Sequence, residues 1–258
     1  MRIQKLSWAG LKIICGNKCI LIDAVEDFSL VSEFMGFPKS EIFKFSDDTE
    51  ADFIVLTHLH FDHYSSKIID KCLASSGKII CSALFSKRLK KYGYGHRLIE
   101  LSTDESYTDC GITFKPAFSM DGIGDEQIAW IVEYNASRLV HCGDTIWHGR
   151  FWKIGQNNPQ IDFAFLPING VIANFEKAGL TFSSIPASLT PEQAVNAGKL
   201  MKAKKIIPIH YQLFDGNFYR PLPDCESEFI YWANKMNIDC LIMKDGDIID
   251  RGNEQIKL

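Results

Sequence analysis

From Val55 to Tyr64 the chain reads Val-Leu-Thr-His-Leu-His-Phe-Asp-His-Tyr, placing His58, His60, Asp62 and His63 within six positions. The whole chain of 258 residues has only seven histidines. Three so close together are hard to explain as scattered surface polarity. The cluster follows an apolar run, Phe53-Ile54-Val55-Leu56, that reads as a buried strand. Strand alternation puts His58 and His60 on one side. Asp62 and His63 come where the chain must leave the strand, so they can turn toward the same point. Imidazole and carboxylate together suit one or two divalent ions such as Zn, Mn or Fe.

The elements that must position this cluster are readable in outline. Residues 1–25 form an expected β-meander turned at Gly16-Asn17-Lys18 and ending in Asp23. After the cluster, helical spacing predicts a helix over 65–76, capped by Gly77. A short strand over 78–81 and a basic helix over 82–92 follow. Further strands are expected at 112–118, 127–134, 138–142, 161–166 and 205–211. A short helix is expected over 149–155. Thr190-Pro191-Glu192-Gln193 is a capping-box helix start. An amphipathic helix covers 226–237, and a closing hairpin pairs 240–243 with 248–251 around Asp245-Gly246.

The His-x-His-x-Asp-His pattern resembles the metallo-β-lactamase superfamily of metal-dependent hydrolases. The resemblance covers nearly the whole chain as a single domain, 1–258. It implies an α+β fold, an αβ/βα four-layer sandwich of two mixed sheets flanked by helices. Gly143-Asp144-Thr145 matches the family's bridging-aspartate motif, and His210 stands where a last histidine ligand is expected. The implied ligands are Asp62, His63 and His210 for one ion and His58 and His60 for a second, with Asp144 shared. Asp62 is also the implied proton acceptor. Where the family carries a further histidine, in Pro116-Ala117-Phe118-Ser119-Met120-Asp121, this chain has Phe118. The candidates to replace it are Asp121 and His148, while His141 is expected in the core. Leu166-Pro167-Ile168-Asn169-Gly170 and Ile207-Pro208-Ile209-His210-Tyr211 resemble the lactonase-like branch, which includes ascorbate-6-phosphate lactonase. That likeness implies Asn169 as a hydrogen-bond donor to an oxyanion and a phosphorylated sugar lactone as one substrate candidate. Arg150, Arg220 and Lys177 would then be available for the phosphate.

Composition bounds the alternatives. Apolar residues make up 46% of the chain and the formal net charge is −4, with no basic footprint for nucleic acid. No apolar stretch approaches the roughly 18 residues of a membrane span, and the N-terminus lacks a signal-peptide core. The expectations are a cytoplasmic location and a small-molecule substrate, with no nucleic-acid or membrane partner; homo-oligomerisation stays open. The eight cysteines form no Cys-x-x-Cys pair and mostly sit in apolar runs, as reduced buried thiols do. The expected reaction is metal-dependent hydrolysis of a lactone, ester or phosphodiester. The competing readings are a mononuclear thiolesterase or dioxygenase and a non-catalytic binding protein with a degenerate metal site.

Overall fold

The computed structural model describes residues 1–250 and the backbone course of 253–257. A first sheet opens with β1 (Arg2–Lys5), β2 (Leu11–Cys15), β3 (Lys18–Ile22), β4 (Ala51–Val55), β5 (Leu73–Ser82) and β6 (Leu98–Leu101). A second is built from β7 (Tyr107–Asp109), β8 (Ile112–Phe118), β9 (Ile128–Tyr134), β10 (Ser137–His141), β11 (Phe163–Pro167), β13 (Lys205–Ile209) and β15 (Asp239–Cys240). Between the last of these, β12 (Ile172–Ala173) and β14 (Tyr219–Arg220) pair as a small separate ribbon. The chain ends back in the first sheet as β16 (Ile248–Asp250) and β17 (Asn253–Lys257), giving it the order β17-β16-β1-β2-β3-β4-β5-β6. The second sheet runs β15-β13-β11-β10-β9-β8-β7. Each sheet joins an antiparallel meander to a parallel set: β3 to β6 in the first, and β10, β11, β13 and β15 in the second.

Strand alternation sorts the side chains into layers. Phe53 and Val55 of β4 face the second sheet, in a core shared with Phe114, Trp130 and Ile207. Their neighbours Ile54 and Leu56 face outward onto Ile68, Ile69 and Cys72 of α2 (Ser66–Cys72) and Leu89 of α3 (Ser86–Lys91), helices that follow the short α1 (Ser32–Met35). On the far side, Ile131, Val140 and Leu166 pack against α4 (Phe151–Asn157), α5 (Pro191–Leu200) and α6 (Cys225–Met236). Helix, sheet, sheet, helix is the expected four-layer sandwich. The capping box at Thr190 and Gln193 is present, with Pro191 opening α5.

Two expectations need correction. The helix over 65–76 stops at Cys72, because Leu73 turns extended and 73–82 pair with β4 as one long strand. Gly77 is therefore no cap. It lies in that strand, where a Cβ would come within 2.9 Å of the Ala51 carbonyl oxygen. The closing hairpin is also absent: Asp239–Cys240 joins β13 in one sheet, while Ile248–Asp250 joins β1 in the other. The turn before Asp247 carries the chain across the sandwich. Arg251 of that expected hairpin lies outside the described residues.

The parallel strands deliver their carboxyl ends to one rim. Asp23 follows β3, the histidine cluster follows β4, Asp144 lies just beyond β10, Asn169 beyond β11, and His210 beyond β13. This is where α/β sheets place their ligands.

Close packing between α4 and the end of α5 yields a test. Gly155 of α4 sits so near α5 that a Cβ would lie 2.5 Å from the backbone oxygen of Met201. Helix propensity alone favours Gly155→Ala by about 1 kcal/mol. Overpacking against backbone is expected to win, with a net loss of about 1–3 kcal/mol in urea unfolding. A gain in stability would contradict the packing.

Candidate metal centre

The cluster after β4 is held from both sheets. Trp130 of β9 donates its indole N–H to the Leu56 carbonyl at 2.8 Å, and the Ile128 N–H donates to Thr57 O at 3.0 Å. Asp144 is set by a turn at Gly143, φ +60°, where a Cβ would crowd Gln127 and Thr57. The Asp144 N–H then donates to Gln127 Oε1 at 2.9 Å. His210 also adopts positive φ, at +60°, and its N–H donates to the Trp8 carbonyl. A histidine held in the left-handed region is the kind of strain that surrounding structure must enforce at a functional site.

These turns bring residues from three distant parts of the chain to one point. His63 Nε2 and His210 Nε2 lie 2.9 and 2.8 Å from Asp144 Oδ1, and each lies 3.4 Å from Asp62 Oδ2. His63 Nε2, His210 Nε2 and Asp144 Oδ1 are buried and have no partner beyond this cluster. Buried polar atoms are rarely left unpaired, so three converging here ask for a partner that is not a hydrogen-bonding group. A cation fits that description. Asp62, His63, Asp144 and His210 offer four donor atoms, all within 4.8 Å of one another.

A second set adjoins the first. His58, His60, Asp121 and Asp144 also place four donor atoms within 4.8 Å. His58 Nε2 is 4.0 Å from Asp144 Oδ2 and 3.0 Å from His60 Nδ1, and His60 Nδ1 is 3.7 Å from Asp121 Oδ2. Asp121 Oδ1 is engaged in its own turn, accepting from the Ile123 and Gly124 N–H groups, which leaves Oδ2 for the cluster. So Asp121 stands in the gap left by Phe118. His148, the other candidate, does not. Its ring stacks on Phe151 at 3.9 Å and meets Phe118 edge-on at 4.9 Å, and it belongs to neither set.

Several supporting residues were not singled out by sequence reasoning. Asp23 was expected only to end its strand or to point toward this region. It is fully buried and accepts from the Thr57 N–H, from Thr57 Oγ1 and from His63 Nδ1, the last at 2.8 Å. Thr57 Oγ1 in turn sits 2.9 Å from His58 Nδ1. Asp125 lies 2.6 Å from His60 Nε2. Each acceptor can take a hydrogen bond from the outward nitrogen, which would turn His58 Nε2, His60 Nδ1 and His63 Nε2 to the centre as lone-pair donors. Trp8 donates Nε1–H to Asp62 Oδ2 at 2.9 Å and covers His210, ring centroids 3.9 Å apart. Nothing in the sequence near Trp8 signals this role, since it acts through long-range folding alone.

Asn169 is not placed as an oxyanion donor. It is fully buried, with Nδ2 at 3.2 Å from His210 Nδ1 and 2.7 Å from Tyr219 Oη, while Oδ1 accepts from Ser188. Its amide is spent within the protein. Cys142, two residues before Asp144, is also inert: burial pushes its thiol up to about 12. His141 is buried in the core as expected, with Nε2 at 2.7 Å from the Ala9 carbonyl.

Electrostatics agree with a cation-seeking site. Burial pushes His58 down to about 3, aided by His63, so its ring is neutral and able to coordinate. Burial also opposes charge on His63 and His210, but the Asp144 carboxylate beside them outweighs it and raises both. A bound metal would compete with protons for these two rings.

The sequence profile of the β-lactamase superfamily domain matches residues 18–211, about three quarters of the chain. A metal-dependent hydrolase of Natranaerobius thermophilus is 24% identical over 240 residues, covering 91% of this chain and 96% of its own. Among solved structures, a metallo hydrolase from Ignicoccus hospitalis superposes with a TM-score of 0.72 at 16% identity, over 96% of this chain and 97% of that one. The diiron β-hydroxylase CmlA of Streptomyces venezuelae superposes with a TM-score of 0.71 at 13% identity, over 95% of this chain and 53% of that one.

The role of Asp23 can be tested by an isosteric change. In Asp23→Asn one position keeps an oxygen for the Thr57 N–H, so the new NH2 group faces His63 Nδ1. That favours a bare Nδ1 and a proton on Nε2, the nitrogen needed at the centre. Metal affinity, measured by chelator competition, is expected to fall about 10- to 100-fold. Unchanged affinity would contradict the orienting role.

Proposed function

The chain belongs to the metallo-β-lactamase superfamily, and from that premise we propose that it is a dinuclear metal-dependent hydrolase of lactones or esters. The observation that carries this reading is the convergence of bare, buried donor atoms around Asp144. Asp62, His63 and His210 would hold one ion and His58, His60 and Asp121 the other, with the Asp144 carboxylate available to both. Each ion thus takes two imidazoles and two carboxylates, counting the shared one. This nitrogen-and-oxygen set accommodates Zn, Mn or Fe. When bound, such a pair supplies an acidified water and Lewis-acid stabilisation of a developing oxyanion.

The chain's own residues have separate tasks. Asp62 accepts the Trp8 N–H at Oδ2, and its carboxylate would take up the proton that activating a water releases. Asp23, Thr57 and Asp125 keep the imidazoles turned, so the donor geometry is set before a substrate arrives. Among the described donor residues, the His60 and Asp144 side chains are the most open, at 24% and 12%, so a substrate would approach there. Two of the loop cations considered for phosphate binding have other neighbours. Arg150 lies over the Phe118 ring at 4.5 Å and Lys177 over Phe218 at 4.3 Å. That weighs toward an uncharged lactone or ester and away from a phosphorylated sugar lactone.

The mixed imidazole and carboxylate donor sets also suit iron, which supports dioxygen chemistry as a second reading. Metal identity separates the two. A chain purified without added metal and found to hold iron, active only with dioxygen, would favour the second.

Two variants test the ligand assignment. Asp121→Ala is expected to reduce metal content from two ions per chain to one. His210→Ala is expected to lose metal and activity together on a panel of lactones, esters, thioesters and phosphodiesters. Two ions retained in Asp121→Ala would remove Asp121 from the site.

A further inference from the structure

Three of the four central imidazoles have an acceptor behind them that leaves the inward nitrogen bare: Thr57 for His58, Asp125 for His60, Asp23 for His63. The fourth, His210, has the Asn169 carboxamide behind it, which can act in either sense. In the arrangement described, Asn169 Nδ2 faces His210 Nδ1 at 3.2 Å and Tyr219 Oη at 2.7 Å, and Oδ1 accepts from the Ser188 hydroxyl. With Nδ2 donating, Nδ1 is the acceptor and the ring proton sits on Nε2. That proton would point at Asp144 Oδ1, 2.8 Å away, and Nε2 could not then ligate a cation.

The two ends of a carboxamide have the same shape, so a half-turn about the last side-chain bond keeps all three contacts and reverses their direction. Oδ1 then accepts from His210 Nδ1–H and from the Tyr219 hydroxyl, while Nδ2 donates to Ser188 Oγ. Every partner can make the exchange, because two are rotatable hydroxyls and the third is a ring with two tautomers. Burial, with the nearby Asp144 and Asp62 charges, keeps Tyr219 a neutral phenol able to donate. The backbone of Asn169 is pinned meanwhile, its carbonyl accepting from the Leu222 N–H at 2.8 Å.

We infer that Asn169 is a positioning residue that sets the tautomer of His210, its amide oxygen turned to the Nδ1 proton so that Nε2 is left free for a metal ion. Tyr219 and Ser188 hold the amide in either sense. This inference rests on the reading of His210 as a metal ligand.

The test compares three chains by chelator competition with Zn and by the ring 15N shifts of His210. Wild-type protein is expected to show Nδ1 protonated when Zn is bound. Asn169→Asp keeps an acceptor behind Nδ1–H and is expected to hold the His210 ion within about threefold of wild type. Asn169→Leu has similar bulk and no acceptor, and is expected to weaken that ion about 10- to 100-fold while leaving the His58 and His60 ion unchanged. Equal binding by wild type and Asn169→Leu would overturn the inference alone. A wild-type chain that takes up no Zn would overturn the metal reading and this inference with it. If Asn169→Leu does not fold, Asn169→Asp decides: retention within about threefold supports the role, and a tenfold or larger loss overturns it.

Discussion

The rest of this structure depends on keeping several ionisable groups buried, close together and incompletely hydrogen-bonded. Asp62, His63, Asp144 and His210 meet at distances of 2.8 to 3.4 Å with almost no water access. Such burial is costly unless charges are paired. The sandwich bears that cost because each parallel strand stops at the same rim and each stop is a turn made rigid from behind. Gly143 turns tightly, His210 accepts positive φ, and Trp130 bonds the end of β4. A cation at the centre would convert mutual repulsion among the carboxylates into attraction.

Organisation around the donors follows one rule. An imidazole can coordinate through one nitrogen only if the other carries its proton, and a carbonyl, hydroxyl or carboxylate must take that proton. Asp23 does this for His63 directly and for His58 through Thr57. One buried carboxylate thereby orients two rings. Asp125 serves His60 from a loop that is partly exposed, so the outer donors are held less firmly than the inner ones. Asp121 gives the outer set a negative charge of its own, from a side chain that is not among the inner donors.

Much of this was legible in the sequence, for identifiable reasons. The histidine cluster is local, so spacing alone exposed it. Asp144 and His210 were found because each ends an apolar strand with a recognisable turn. Asp121 could be named as a candidate because it was the strong oxygen donor near Phe118, but His148 was an equal kind of guess. Only folding shows that His148 stacks on Phe151 instead. Asn169 was misread in role because Asn-Gly in a loop looks available, whereas Ser188 and Tyr219, from distant segments, enclose it. Trp8 and Asp125 act across long chain separations and leave no periodic trace. The same limit explains the lost hairpin: local turn chemistry at Asp245-Gly246 is real, but the flanking segments find partners in different sheets.

The central claim is that Asp144 lies between two cations. Crystals of the chain grown with Mn or Zn, measured at the metal's absorption edge, test it most directly. The account expects two anomalous peaks flanking the Asp144 carboxylate, one bounded by His63, His210 and Asp62 and the other by His58, His60 and Asp121. Anomalous density elsewhere, with none touching Asp144, would contradict it.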